Sequence, residues 1–151
     1  MKARLNAQKA APEAYAAMVA LENVIRRHVD PTILELVKLR ASQINGCAYC
    51  IHMHATDARA RGESEERLYL LNAWRESSLY TERERAALAW TEAVTLIGET
   101  HAPDEVYEGL LPHFSEAEIA NLTAAIAMIN LWNRMAIACR NQHPVQAPVR
   151  S

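Results

Sequence analysis

The run IANLTAAIAMINLWNRMAIA, residues 119–138, contains no acidic side chain and a single basic one, Arg134. Apolar residues recur there at helical spacing and also fill the remaining faces, so no side of such a helix suits water. A helix of this kind must lie at the centre of a domain or between subunits, and the remaining elements must be able to surround it. Ser115 and Glu118 precede it as a capping box, which fixes its start near Ala117 and leads it to about Cys139. Asn130, Trp132, Asn133 and Arg134 fall inside it and need hydrogen-bond partners. With Trp90 and Glu92 they serve either as helix and subunit contacts or as the lining of a pocket; Tyr15, Met18 and Leu21 are core or pocket lid.

The rest of the chain has the punctuation of further helices. Pro12 suits a first turn before EAYAAMVALENVIRRHV, and Asp30 with Pro31 forms an N-cap and first-turn pair before TILELVKLRASQIN. Gly46 can close that helix in a left-handed cap. The next helix runs through the cysteine-bearing stretch to Arg61 and stops at Gly62. Ser64 opens EERLYLLNAW, Thr81 with Glu84 makes a second capping box, and Pro103 opens a short helix ending near Pro112. No segment alternates apolar and polar residues long enough to be a strand. The expectation is an all-α single domain over residues 1–151, with about seven helices, oligomerising through its apolar helices. Residues 140–151, with two prolines, read as an extended tail.

A chain of 151 residues buries roughly 70% of its unfolded surface on folding and needs no staple to do so. Its net charge of −2 gives no electrostatic footprint for nucleic acid or an anionic membrane. Lys2 and Arg4 are not followed by an apolar run, and no uninterrupted apolar stretch approaches the roughly 20 residues that span a bilayer. A cytoplasmic protein with no membrane partner is expected. There a pair of closely spaced cysteines reads as redox or metal chemistry.

That pair lies in INGCAYCIHMHA, residues 44–55, where CxxC is followed by HxH. On a helix Cys47 and Cys50 are neighbours, and Cys50 and His54 are neighbours one turn later. His52 lies about 200° around from Cys50 and drops out of that face. Cys47 falls where the unsatisfied N–H groups and helix dipole favour a thiolate. Glu35 interrupts the apolar face of the preceding helix. If Gly46 makes a tight turn, Glu35 lies about 16 Å and His54 about 12 Å from it, on antiparallel helices. A Glu35–His54–Cys50 proton relay is therefore feasible.

Glu35, Cys47, Cys50 and His54 stand as E-x11-C-x2-C-x3-H. This resembles the active-site signature of the alkylhydroperoxidase D (AhpD) family within the carboxymuconolactone decarboxylase-like superfamily. RASQINGCAYCIHMH, ERAALAWTEAVTL and FSEAEIANLTAAIAMINLWNRMAIA resemble successive blocks of its compact members, over residues from about 30 to 139. The resemblance implies an all-helical fold assembling into trimers or hexamers, and thiol-dependent peroxidase activity without haem, flavin or metal. In that scheme Cys50 attacks a hydroperoxide and becomes a sulfenic acid, and Cys47 condenses with it to a disulfide. His54 and Glu35 move the protons. A dithiol of lipoyl-protein or thioredoxin-like type then reduces the pair. The best-known peroxidase members carry a histidine between the cysteines, where this chain has Tyr49. The superfamily's decarboxylases lack the cysteine pair.

Two other readings are open to the same residues. Cys139 and His143 form C-x3-H, so Cys47, Cys50, Cys139 and His143 could compose a structural Cys3His zinc site. A structural CxxC usually sits on a tight knuckle, which argues against it. The other alternative is a non-catalytic oligomeric module whose CxxC senses redox state or binds a partner. Cys139, His101 and His113 have no evident chemical partners and read as structural or exposed.

Overall fold

The computed structural model describes residues 2–144. Among them are nine α-helices and one 3-10 turn: α1 (Ala7–Ala10), α2 (Pro12–His28), α3 (Pro31–Asn45), α4 (Ala48–Ala60), α5 (Glu65–Leu70), the 3-10 turn Leu71–Ala73, α6 (Glu82–Thr95), α7 (Ile97–Thr100), α8 (Asp104–Glu108) and α9 (Glu116–Cys139). The expected seven are all present. The two additions, α1 and α7, are 4-residue pieces too short to leave a periodic pattern. The helix expected over EERLYLLNAW tightens into the 3-10 turn after Leu70.

The boundaries follow the punctuation. Asp30 accepts the N–H groups of Thr32 and Ile33 at 2.9 and 3.1 Å, ahead of Pro31. Both capping boxes close, Thr81 with Glu84 and Ser115 with Glu118. Gly46 takes φ 69°, a left-handed conformation that turns α4 back along α3. Arg140, at φ 56°, ends α9 in the same region without a glycine.

α3 and α9 form the centre. α3 packs on α4, α6 and α9, and α9 also meets α2, α4 and α6. By length and composition alone α9 could cross a membrane, with a mean hydropathy of 1.3 over its best window; here it is instead the central strut of a helical bundle. Val37, Leu122 and Ile126 join α3, α6, α8 and α9 in one core cluster, and Leu36, Leu39, Leu71, Trp74 and Leu88 join α3 to the α4–α6 layer. Truncating Leu122 or Ile126 to alanine would cost about 2–5 kcal/mol.

The polar residues inside α9 are satisfied within the chain. Asn133 donates to Ser42 Oγ at 3.0 Å, and Asn45 donates to both Asn133 and Asn130 at 2.9 and 3.0 Å. Trp90 donates to Thr123 at 2.9 Å. Arg4 donates to the Cys139 and Ala138 carbonyls, tying the N-terminal segment to the end of α9. Of the expected tail, Arg140 turns the chain and residues 141–144 are not helical; the remainder lies outside the described residues.

Candidate functional site

Cys47 is the N-cap of α4, and its sulfur accepts the Cys50 N–H at 3.3 Å. Cys47 and Cys50 are joined as a disulfide with Cα atoms 5.3 Å apart. Both are almost fully enclosed, at 1% and 2% exposure. One turn further along α4, His54 is equally buried, and its Nδ1 meets Glu35 Oε2 of α3 at 3.0 Å. The antiparallel packing of α3 on α4 thus brings Glu35 to the level of His54. His54 Nε2 is buried and has no hydrogen-bond partner among the described residues. A buried polar atom left unpaired is costly and calls for an explanation.

Burial would push the Glu35 carboxyl upward. The hydrogen bond from His54, and the charges of His54, Lys38 and Arg26, outweigh it and hold Glu35 below the usual carboxylate range. Lys38 lies one turn beyond Glu35 on α3 and is 1% exposed. Burial lowers its proton affinity, and a short ion pair with Glu22 of α2 restores only part of the loss. Glu22 also accepts from Arg26 at 3.0 Å and from the Trp132 indole at 3.3 Å. The result is an alternating array, Arg26, Glu22, Lys38, Glu35 and His54, that leads from α2 across α3 to the helix bearing the disulfide.

Beside that array is a cavity of about 190 Å³ reached by Cys50 and His54. Tyr15, Val19, Met53, Trp132 and Met135 give it apolar walls, and Glu22, Arg26 and Lys38 supply its charge. Tyr15 and Trp132 meet edge to face at 5.3 Å between ring centroids. Cys47 does not line this space. It lines a neighbouring groove of about 450 Å³ between the start of α4 and the end of α9. Tyr49, Ala136 and Asn141 border both.

The structure therefore brings together Glu35, His54, Cys50 and Cys47. His52 does not share the Cys50 cavity and stacks on His143 at 5.4 Å. Of the alternative zinc set, Cys47 and Cys50 are bonded to each other, and Cys139 is a separate buried thiol. Among the described residues the group able to converge on a metal ion is a different one, Glu35, His54 and Asp57, with ligand atoms within 4.8 Å of one another. Sequence reasoning missed Lys38, Glu22 and Asp57. The H-x2-D spacing put Asp57 on the His54 face. For Lys38 the signal was the otherwise apolar run ILELVKL, residues 33–39, which carried two charges, each needing a partner.

An all-α bundle with a disulfide at a helix N-terminus, a Glu–His pair behind it and a small cavity before it defines a dithiol redox protein. The chain belongs to the carboxymuconolactone decarboxylase family, whose family model matches residues 12–93, and within that superfamily it is AhpD-like. The uncharacterized Bacillus subtilis protein YdfG is 41% identical over 94% of this chain and 97% of its own length. The solved structure of ATU0492 from Agrobacterium tumefaciens superposes with a TM-score of 0.93, at 51% identity over 96% of this chain and all of that one. That protein is of unknown function and is assigned provisionally to AhpD-type antioxidant defence. The debrominase Bmp8 shares the fold, with a TM-score of 0.82 and 24% identity over 91% of this chain and 75% of its own.

Proposed function

We propose that this protein is a thiol-dependent hydroperoxidase that cycles Cys47 and Cys50 between dithiol and disulfide. One bundle fold serves several reactions, so the reading rests on the site. The observation that carries it is the unpaired His54 Nε2, buried one turn from Cys50 at the same cavity while Nδ1 is held by Glu35.

In the reduced protein that nitrogen takes the Cys50 proton, and the Glu35 carboxylate supports the imidazolium that forms. The thiolate attacks the nearer oxygen of a hydroperoxide ROOH, an S–O bond forms and the O–O bond breaks. The alkoxide leaves with the proton from His54 as ROH, and Cys50 is a sulfenic acid. The Cys47 thiol then attacks the Cys50 sulfur and gives up its proton to the hydroxyl, which departs as water and leaves the disulfide. A dithiol reductant restores the starting state. Tyr15, Val19, Met53 and Trp132 favour a substrate with an apolar organic body over hydrogen peroxide.

The test is turnover of tert-butyl hydroperoxide with dihydrolipoamide, alongside a count of free thiols. The wild type loses two thiols per peroxide and regains them with the dithiol. A disulfide that forms but never turns over with any donor would leave only a redox-sensing module.

A further inference from the structure

The two sulfurs of the disulfide open onto different spaces, and on that division we propose that the reductant binds where the peroxide does not. Cys50 reaches the apolar-walled cavity, and Cys47 reaches the groove between α4 and the end of α9. The occupant assigned to the groove is a slender, anionic dithiol that attacks Cys47. The proposal rests on the dithiol cycle above and names the partner for its second half.

Three observations select that occupant. Cys47 is only 1% exposed, so the attacking sulfur must come in on a thin arm; a broad folded surface does not fit. Among the described residues no acidic side chain lines the groove, whereas Arg140 and His143 do. The groove also faces the first turn of α4, whose N–H groups favour negative charge, and the opposing carbonyls at the end of α9 are occupied by Arg4, Arg140 and Asn141.

The chemistry supports attack on that sulfur. When the reductant's thiolate bonds to Cys47 Sγ, the Cys47–Cys50 bond breaks and its electron pair leaves on Cys50. Cys50 is the sulfur that shares a cavity with His54, so the departing thiolate forms beside an imidazole that can hand it a proton released by the reductant's thiols. The reductant's second thiol then displaces Cys47. Two electrons and two protons pass to the cysteine pair, and the reductant becomes its own disulfide.

Single-turnover kinetics of each half-reaction test this, with dihydrolipoate as the anionic probe and dihydrolipoamide as its neutral counterpart. Dihydrolipoate should reduce the wild-type disulfide faster, by up to about fivefold for one exposed charge contact. Arg140→Gln should diminish that preference. Ile137→Trp, which fills the groove alone, should slow reduction more than oxidation by tert-butyl hydroperoxide. Val19→Trp, which fills the cavity alone, should do the reverse. Equal slowing of both halves by either tryptophan, or a preference undiminished by Arg140→Gln, overturns the separate site. So does failure of both dithiols to reduce the wild type. Normal reduction without peroxide consumption would overturn the peroxidase reading alone.

Discussion

Two carboxylates of this bundle interrupt apolar helices, and their surroundings differ in one respect. Glu92 of α6 is saturated: the Trp74 indole and Arg40 donate to Oε1 at 2.8 and 2.9 Å, and Arg75 donates to Oε2 at 2.7 Å. Among the described residues Glu35 of α3 has one close partner, His54, and Arg61 stands off at 4.0 Å. Behind His54 the chain of partners stops at an unpaired nitrogen. A closed network fixes helices relative to one another, while one left open at a cavity has capacity for a proton. The same residue type is thus structural in one place and chemical in the other.

The largest test of that contrast is at the thiol. Cys50→Ser should remove peroxide consumption altogether while the fold persists, checked by turnover and circular dichroism. Next, His54→Ala or Glu35→Gln should lower turnover about 10²–10⁴-fold, the range of a lost general acid–base group. Glu92→Gln should do the opposite: thermal or urea unfolding should show a loss of about 2–3 kcal/mol, from weakened charged hydrogen bonds, with per-molecule activity retained. If Glu92→Gln abolished activity and Glu35→Gln mainly cost stability, the assignment of roles would be reversed.

Local rules made much of this legible. Asp30, Gly46, Thr81 and Ser115 act on their own neighbours, so the sequence alone placed the helix boundaries they control. The E-x11-C-x2-C-x3-H spacing also carried the meeting of Glu35 with His54, because two antiparallel helices joined by one tight turn leave little freedom of register. The Lys38–Glu22 pair had no such handle. Glu22 lies on a helix whose contact with α3 depends on tertiary packing, and lysine ordinarily extends toward water. The two cavities were hidden for a similar reason: Tyr49 and Ala136, which border both, come from helices far apart in sequence.

Lys38 gives a subtler test of the open network. Lys38→Met with Glu22→Gln removes the buried pair without leaving either charge alone. Glu35 then loses a cation that favours its ionised form, so its proton affinity should rise. The acid limb of the pH–rate profile should move to higher pH, while Lys38→Arg should largely keep it in place. An unmoved limb in the double variant would separate Lys38 from the relay.

The smallest effect expected is global. Glu22, Glu35, Glu84 and Glu92 are each held below the ordinary value of 4.5, because hydrogen bonds and neighbouring cations outweigh burial that would raise them. A carboxylate depressed in the folded state contributes stability that is present above its unfolded value and is lost as pH falls through the folded one. The melting temperature should therefore be flat around neutrality and decline as pH drops below about 4.5. Glu92→Gln removes one of the four groups, so its melting curve should depend less on pH in that window. Glu35→Gln removes another and should flatten the curve too, with the difference that it also costs turnover at neutral pH, where both wild-type carboxylates are ionised. Melting measured from pH 3 to 7 beside peroxidase rates distinguishes a carboxylate that only holds helices together from one that also works on a proton.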